Sequence, residues 1–142
     1  MRVLSLLVLL TASLITGCAS QPPELRDLDD IYRQVATRFV YTYDRADEWQ
    51  IPARGARMPD IIFGDCDEFA LWVRQLAREK GIPVRLMFVR VGFQGRGHIV
   101  AEWNGWVIDQ YGVNTNRGNH YRFVSVSDEP GKPWRKVRKA AE

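Results

Sequence analysis

The chain has 142 residues, 20 lysines and arginines against 17 aspartates and glutamates, and a formal net charge of +3 at pH 7. That length leaves room for one domain. With no aromatic–basic interleaving, zinc-ligand spacing or phosphate-binding loop, the sequence carries no nucleic-acid module.

The N-terminus "MRVLSLLVLLTASLITGCAS" pairs a short positive region at Arg2 with an apolar run from Val3 to Ile15. That run is too short to span a bilayer comfortably and has the layout of a secretory signal. Ile15-Thr16-Gly17-Cys18 resembles the lipobox of bacterial lipoproteins. The resemblance implies cleavage before Cys18 and lipid attachment to Cys18. The expected address is then the bacterial cell envelope, and Ala19 after the cysteine implies the outer membrane, facing the periplasm. An ordinary signal peptide or an uncleaved anchor is the alternative. If Cys18 is lipidated, Cys66 has no partner within the chain, which marks it as a reactive thiol or else a buried, inert one.

"CASQPPE" reads as a short tether with two prolines. From Glu24 to about Tyr43, Leu25, Leu28, Ile31, Val35 and Phe39 recur at helical steps, with acids in the first turn, and predict an amphipathic helix. Pro52, Gly55 and Pro59 punctuate an irregular segment from Asp44 to Phe63. Residues 66–80 predict a second helix with Phe69, Trp72, Val73, Leu76 and Ala77 on its apolar face and Gly81 as its stop signal. "VRLMFVRV" predicts a strand, "GFQGRG" a flexible connection, and "HIVAEW" and "WVIDQY" a hairpin turned by Asn104-Gly105. "YRFVSV" predicts a last strand. Two helices followed by about four strands make an α+β domain. The basic end "GKPWRKVRKAAE" reads as a solvated, frayed terminus, with contact to anionic lipid as the alternative.

Chemistry concentrates at "FGDCDEFALW". Asp65 is a good N-cap and Glu68 follows three residues later, as in a capping box. Cys66 is then the first helical residue, where unpaired N–H groups and the positive dipole end favour a thiolate. Asp67 is left without a role. A cysteine nucleophile needs a base, and the chain has two histidines. With Asn104-Gly105 as the hairpin loop, Trp103 pairs with Trp106, Val100 with Asp109 and His98 with Tyr111. His98 and Asp109 are then diagonal neighbours, roughly 7–8 Å apart along the backbone, within side-chain reach. Ile99, Ala101, Trp103, Trp106 and Ile108 would form the opposite, core-facing side. His120, in "NRGNHY", reads as exposed.

"GDCDEFA" followed by "GHIVAEWNGWVIDQYG" resembles the core of the transglutaminase-like superfamily of papain-type enzymes, and is most similar to the bacterial transglutaminase-like cysteine peptidases. The resemblance runs from about Gly64 to Gly112, with looser support from Asp47 to Pro59. It implies a nucleophile-bearing helix packed on an antiparallel sheet, and a catalytic triad of Cys66, His98 and Asp109. The implied organisation is a lipoprotein signal peptide at 1–17, a lipidated tether at 18–23, a catalytic domain at 24–130 and a basic tail at 131–142. An oxyanion hole needs a second donor besides the Cys66 N–H. Gln50 and Trp49 are the candidates, and nothing in the sequence chooses between them. In some periplasmic members acids beside the cysteine help to bind calcium, and Asp65 and Asp67 would fit, although two carboxylates alone are too few. No other cofactor is expected. The implied activity is attack on amide bonds of an envelope protein or peptide through a thioester. Peptide hydrolysis is the leading expectation; transglutaminase-type acyl transfer, a non-catalytic binding lipoprotein and a structural envelope protein acting through its tail are the alternatives.

Overall fold

In a computed structural model of the chain, residues 21–43, 49–115 and 120–137 are described. The signal peptide, Cys18 and Asp47 lie outside the described residues. Helix α1 spans Pro23–Ala36 and starts with proline at its first position, where the missing N–H costs nothing. Leu25, Leu28, Ile31 and Val35 are buried along one side of it.

The helix stops earlier than its apolar period suggested. Phe39–Tyr41 is instead a strand, β1, paired in parallel with β2 at Ile62–Gly64. The β-branched and aromatic run Phe39-Val40-Tyr41-Thr42 suits extended backbone. Phe39 still reaches the core from its strand, meeting Phe69 edge-on with ring centroids 5.1 Å apart. Ile62–Gly64 is likewise a strand inside the segment read as irregular.

Helix α2 spans Cys66–Glu79 and ends on the C-cap Lys80, with Gly81 just beyond at φ 77°. It buries Phe69, Trp72, Val73 and Ala77, as expected, and also Leu71 and Arg74, because α1 covers one flank and the sheet another. The remaining strands are β3 (Arg85–Val91), β4 (Arg96–Trp103), β5 (Trp106–Asp109), β6 (Gly112–Thr115), β7 (Tyr121–Ser127) and β8 (Arg135–Lys136). They form one antiparallel sheet in the order β6-β5-β4-β3-β7-β8. Asn104 and Gly105 both take positive φ, 47° and 83°, and close the two-residue β4–β5 turn. The register follows, with Trp103 opposite Trp106 and Ala101 opposite Ile108.

One face of the sheet packs on the helices through Leu86, Ile99, Ala101 and Ile108. The other face is also apolar. Met87, Val89, Val100, Val107 and Val126 form a second buried cluster, so the side of the hairpin that carries His98 is not merely a surface for an acid–base pair. Nor do residues 131–137 fray. Asp128 holds Arg135 through both guanidinium branches at 2.7 and 3.0 Å, and β8 pairs with β7.

Candidate active site

Strand β2 delivers the chain directly to Cys66. Gly64 ends it, and any Cβ there would sit 2.5 Å from Glu68 Cγ and Oε2. The glycine therefore makes room for the Glu68 side chain, which folds back over the start of α2. Glu68 Oε2 accepts the Asp65 N–H at 3.0 Å, and Asp65 Oδ1 accepts the Asp67 N–H at 3.2 Å. This is the capping box read from the sequence. Glu68 does more, because its Oε1 accepts the Gln50 N–H at 3.1 Å and ties the upstream loop to the helix.

Cys66 is the first residue of α2 and is half-buried. Its Sγ accepts the Ile99 N–H at 3.4 Å, so β4 presents His98 immediately beside the sulfur's own hydrogen-bond donor. Cys66 and His98 line one cavity of about 380 Å³, together with Trp49, Asp65, Asp67, Phe88, Gly97, Ser125 and Trp134. A larger cavity of about 940 Å³ lies at the far end of α2, between Pro52, Arg78 and Pro130. It is lined by no cysteine or histidine, so the chemistry points to the smaller one.

His98 and Asp109 meet across the hairpin diagonal, Nε2 to Oδ2, at 3.4 Å. Asp109 is 2 % exposed and accepts the Tyr111 N–H at Oδ1, 2.9 Å, and the Tyr121 hydroxyl at Oδ2, 2.5 Å. Burial works against its charge, but the hydrogen bonds from His98, Tyr121 and the Tyr111 amide outweigh it and hold the carboxyl below the usual range. Asp109 is thus a carboxylate at any physiological pH. Nε2 is thus the ring nitrogen turned to Asp109, and Nδ1 is the one turned away from it.

The electrostatics around the sulfur are adverse. Burial, then the charges of Asp65 and Asp67, push the Cys66 thiol up to about 12, and the Ile99 N–H only partly offsets them. Asp67 is buried and is itself pushed up to about 8, first by burial, then by its hydrogen bond to Asp65 and the nearby Glu68. Burial opposes ionisation of Asp65 too, but hydrogen bonds from Asp67 and the Cys66 amide win and hold it low. Asp65 and Asp67 therefore share a proton at neutral pH. The helix end alone does not ionise this thiol.

Of the two oxyanion candidates, Trp49 forms a wall of the cavity and Gln50 does not. Gln50 is exposed, and its backbone N–H is committed to Glu68. His120 is exposed, as expected. Sequence reasoning missed Tyr121, which carries no pattern beyond its place in a strand, and Trp134. Trp134 was assigned to the tail, yet it packs edge-on against Trp49 with centroids 5.9 Å apart. A tryptophan inside a basic terminal stretch was the available signal.

No protein-family model matches the sequence, and no curated protein does. Solved structures do match in shape. LapG of Legionella pneumophila in its calcium-bound form aligns with a TM-score of 0.64 at 15% identity, over 86% of this chain and 74% of that one. A second LapG structure from the same organism aligns at 0.62 and 15%, over 82% and 71%. An EGTA-treated one aligns at 0.59 and 16%, over 75% and 64%. The fold is transglutaminase-like. Within it, the helix that begins at Cys66 abuts β4 of the antiparallel sheet, in the α+β arrangement expected from the motif.

Proposed function

We propose that the chain is a thiol enzyme acting on amide bonds, a cysteine peptidase of the transglutaminase-like fold, with Cys66 as nucleophile, His98 as proton shuttle and Asp109 as its orienting carboxylate. The observation that carries this reading is one constellation. A helix-start thiol takes an N–H from Ile99, shares a cavity with His98, and His98 is tied at Nε2 to a buried carboxylate.

In this mechanism His98 Nδ1 takes the thiol proton, and the imidazolium supplies the positive charge that the acids around Cys66 deny it. The sulfur attacks the amide carbonyl. His98 returns the proton to the leaving amine as the C–N bond breaks, and a thioester remains. Water then attacks the thioester, giving its proton to His98, and the sulfur leaves as the carboxylic acid product departs. The Cys66 N–H, which in the resting site reaches the Asp65 carboxylate, would turn to the developing oxyanion as one donor, with Trp49 as the cavity-side candidate for the second. An amine in place of water would make the same site a transglutaminase.

Calcium belongs to the same reading. Donor atoms of Asp65, Cys66 and Asp67 lie within 4.8 Å of one another, and two adjacent carboxylates competing for one proton are hard oxygen donors suited to this ion. Asp65 and Asp67 would hold it, with other oxygens completing the set, while the soft sulfur would stay free. Bound there, the ion would supply positive charge beside the thiol.

The envelope address, through a lipid on Cys18, is part of the proposal and rests on residues 1–18; a Cys18→Ser protein that still fractionates with membranes would sink it. The test of the reaction is trapping. Incubation with envelope extract and acid quench should leave a hydroxylamine-sensitive adduct on the Cys66 peptide, absent in Cys66→Ser and His98→Ala. Excess EGTA should reduce it and calcium restore it. A wild-type protein that never forms the adduct, with or without calcium, contradicts the enzyme reading, and an adduct indifferent to EGTA contradicts the calcium assignment alone.

A further inference from the structure

We infer that Tyr121 is the positioning residue of the His98–Asp109 pair, fixing the plane of the imidazole with its ring and tempering the imidazole's basicity with its hydroxyl. The inference rests on the proposed role of His98. Two independent contacts carry it. The Tyr121 hydroxyl donates to Asp109 Oδ2 at 2.5 Å, the same oxygen that faces His98 Nε2 at 3.4 Å. The Tyr121 ring also lies nearly parallel to the imidazole, at 25°, with centroids 6.1 Å apart.

The topology explains how one side chain makes both contacts. Strands β4 and β7 flank β3, with His98 opposite Val89 and Tyr121 opposite Val91. His98 and Tyr121 therefore stand on one face of the sheet and lean across β3 over the second apolar cluster. Asp109 reaches the same point from β5, anchored at its other oxygen by the Tyr111 N–H. On the remaining side the cavity is walled by Cys66 and Asp67 of α2 and by its N-cap Asp65.

The shared oxygen has a chemical consequence. A phenol donating a short, charge-assisted hydrogen bond draws electron density from the carboxylate. Asp109 then becomes a weaker acceptor for the imidazole N–H and stabilises the imidazolium less. Burial first, and then Asp109 itself, push the phenol well above its ordinary range, so the hydroxyl stays a donor at every pH where the enzyme would work.

The test is proton NMR titration of the two histidines, with His120→Asn to assign them. Tyr121→Phe keeps the ring and removes the hydroxyl. It should raise the His98 midpoint by about half a pH unit or more, and move the acid limb of Cys66 alkylation upward with it. In an Asp109→Asn background the same substitution should move neither. Tyr121→Leu, which also loses the ring, should slow alkylation at all pH values. A His98 midpoint unchanged within about 0.2 pH unit in folded Tyr121→Phe, or lowered, overturns the inference. If the midpoint rises but alkylation never depends on His98, the tyrosine assignment stands and the enzyme reading fails; the opposite pattern spares the enzyme reading alone.

Discussion

Cys66 sits among groups that favour its neutral form, and its reactivity is therefore conditional on what neutralises them. Asp67 is the sharpest lever. Its carboxyl titrates near 8 in the fold and near 4 in an unfolded chain. The native state therefore binds the extra proton between those values, and stability falls as pH rises through that window. Asp67→Asn should flatten this decline, measured by urea denaturation at pH 5 and pH 8. It should also speed Cys66 alkylation severalfold at pH 8–9, since one of the two raising charges is gone. Equal pH slopes in both proteins would show that Asp67 is an ordinary surface acid. Asp109 has the opposite sign: its depressed carboxyl contributes stability above the unfolded range near 4, lost as pH falls through the folded value. The role of Asp67 was illegible in the sequence, because its burial depends on how β2 and the Trp49–Trp134 wall close over the helix end. The helix-start position of Cys66 and the meeting of His98 with Asp109 were legible, because a capping box and a two-residue hairpin each fix side-chain direction locally.

At the scale of elements, Glu68 is the joint. One buried carboxylate receives the Asp65 and Gln50 amides, so it caps α2 and fastens the loop that carries Trp49. Glu68→Ala should cost roughly 2 kcal/mol in chemical denaturation, the sum of a lost cap and an unpaired amide. It should also slow Cys66 alkylation by loosening that wall. A cost below about 0.5 kcal/mol would place the side chain outside any structural role. Gly64→Ala should act in the same direction, since its Cβ would displace Glu68. The sequence announced the cap but not the tie to Gln50, because a contact across eighteen residues has no local period. For the same reason the helical period of α1 runs on through β1 in the sequence. Its apolar spacing fits either element, and only the parallel pairing with β2 decides the matter.

For the molecule as a whole, both faces of the sheet are buried and the C-terminal segment completes it. Trp134 walls the cavity, and Arg135–Lys136 pairs with β7. Truncation after Pro130 should therefore lower the thermal midpoint and open the Cys66 cavity, whereas a tail that acted only on membranes would leave both unchanged. The α+β class was readable from the order of helices and strands; β6 and β8, short and polar, were not, because they borrow their strand character from the neighbours they pair with. The fold places a half-buried, acid-flanked thiol in one cavity with a histidine held by a carboxylate, and the proposed function requires that His98 make that thiol reactive. The most direct measurement is the rate of Cys66 alkylation by iodoacetamide at pH 7 in the folded protein, in a urea-unfolded control and in His98→Ala. Wild-type Cys66 should label faster than the control, and His98→Ala should lose about a hundredfold or more of that rate. Wild-type labelling no faster than the unfolded control, or unchanged by His98→Ala, would contradict it.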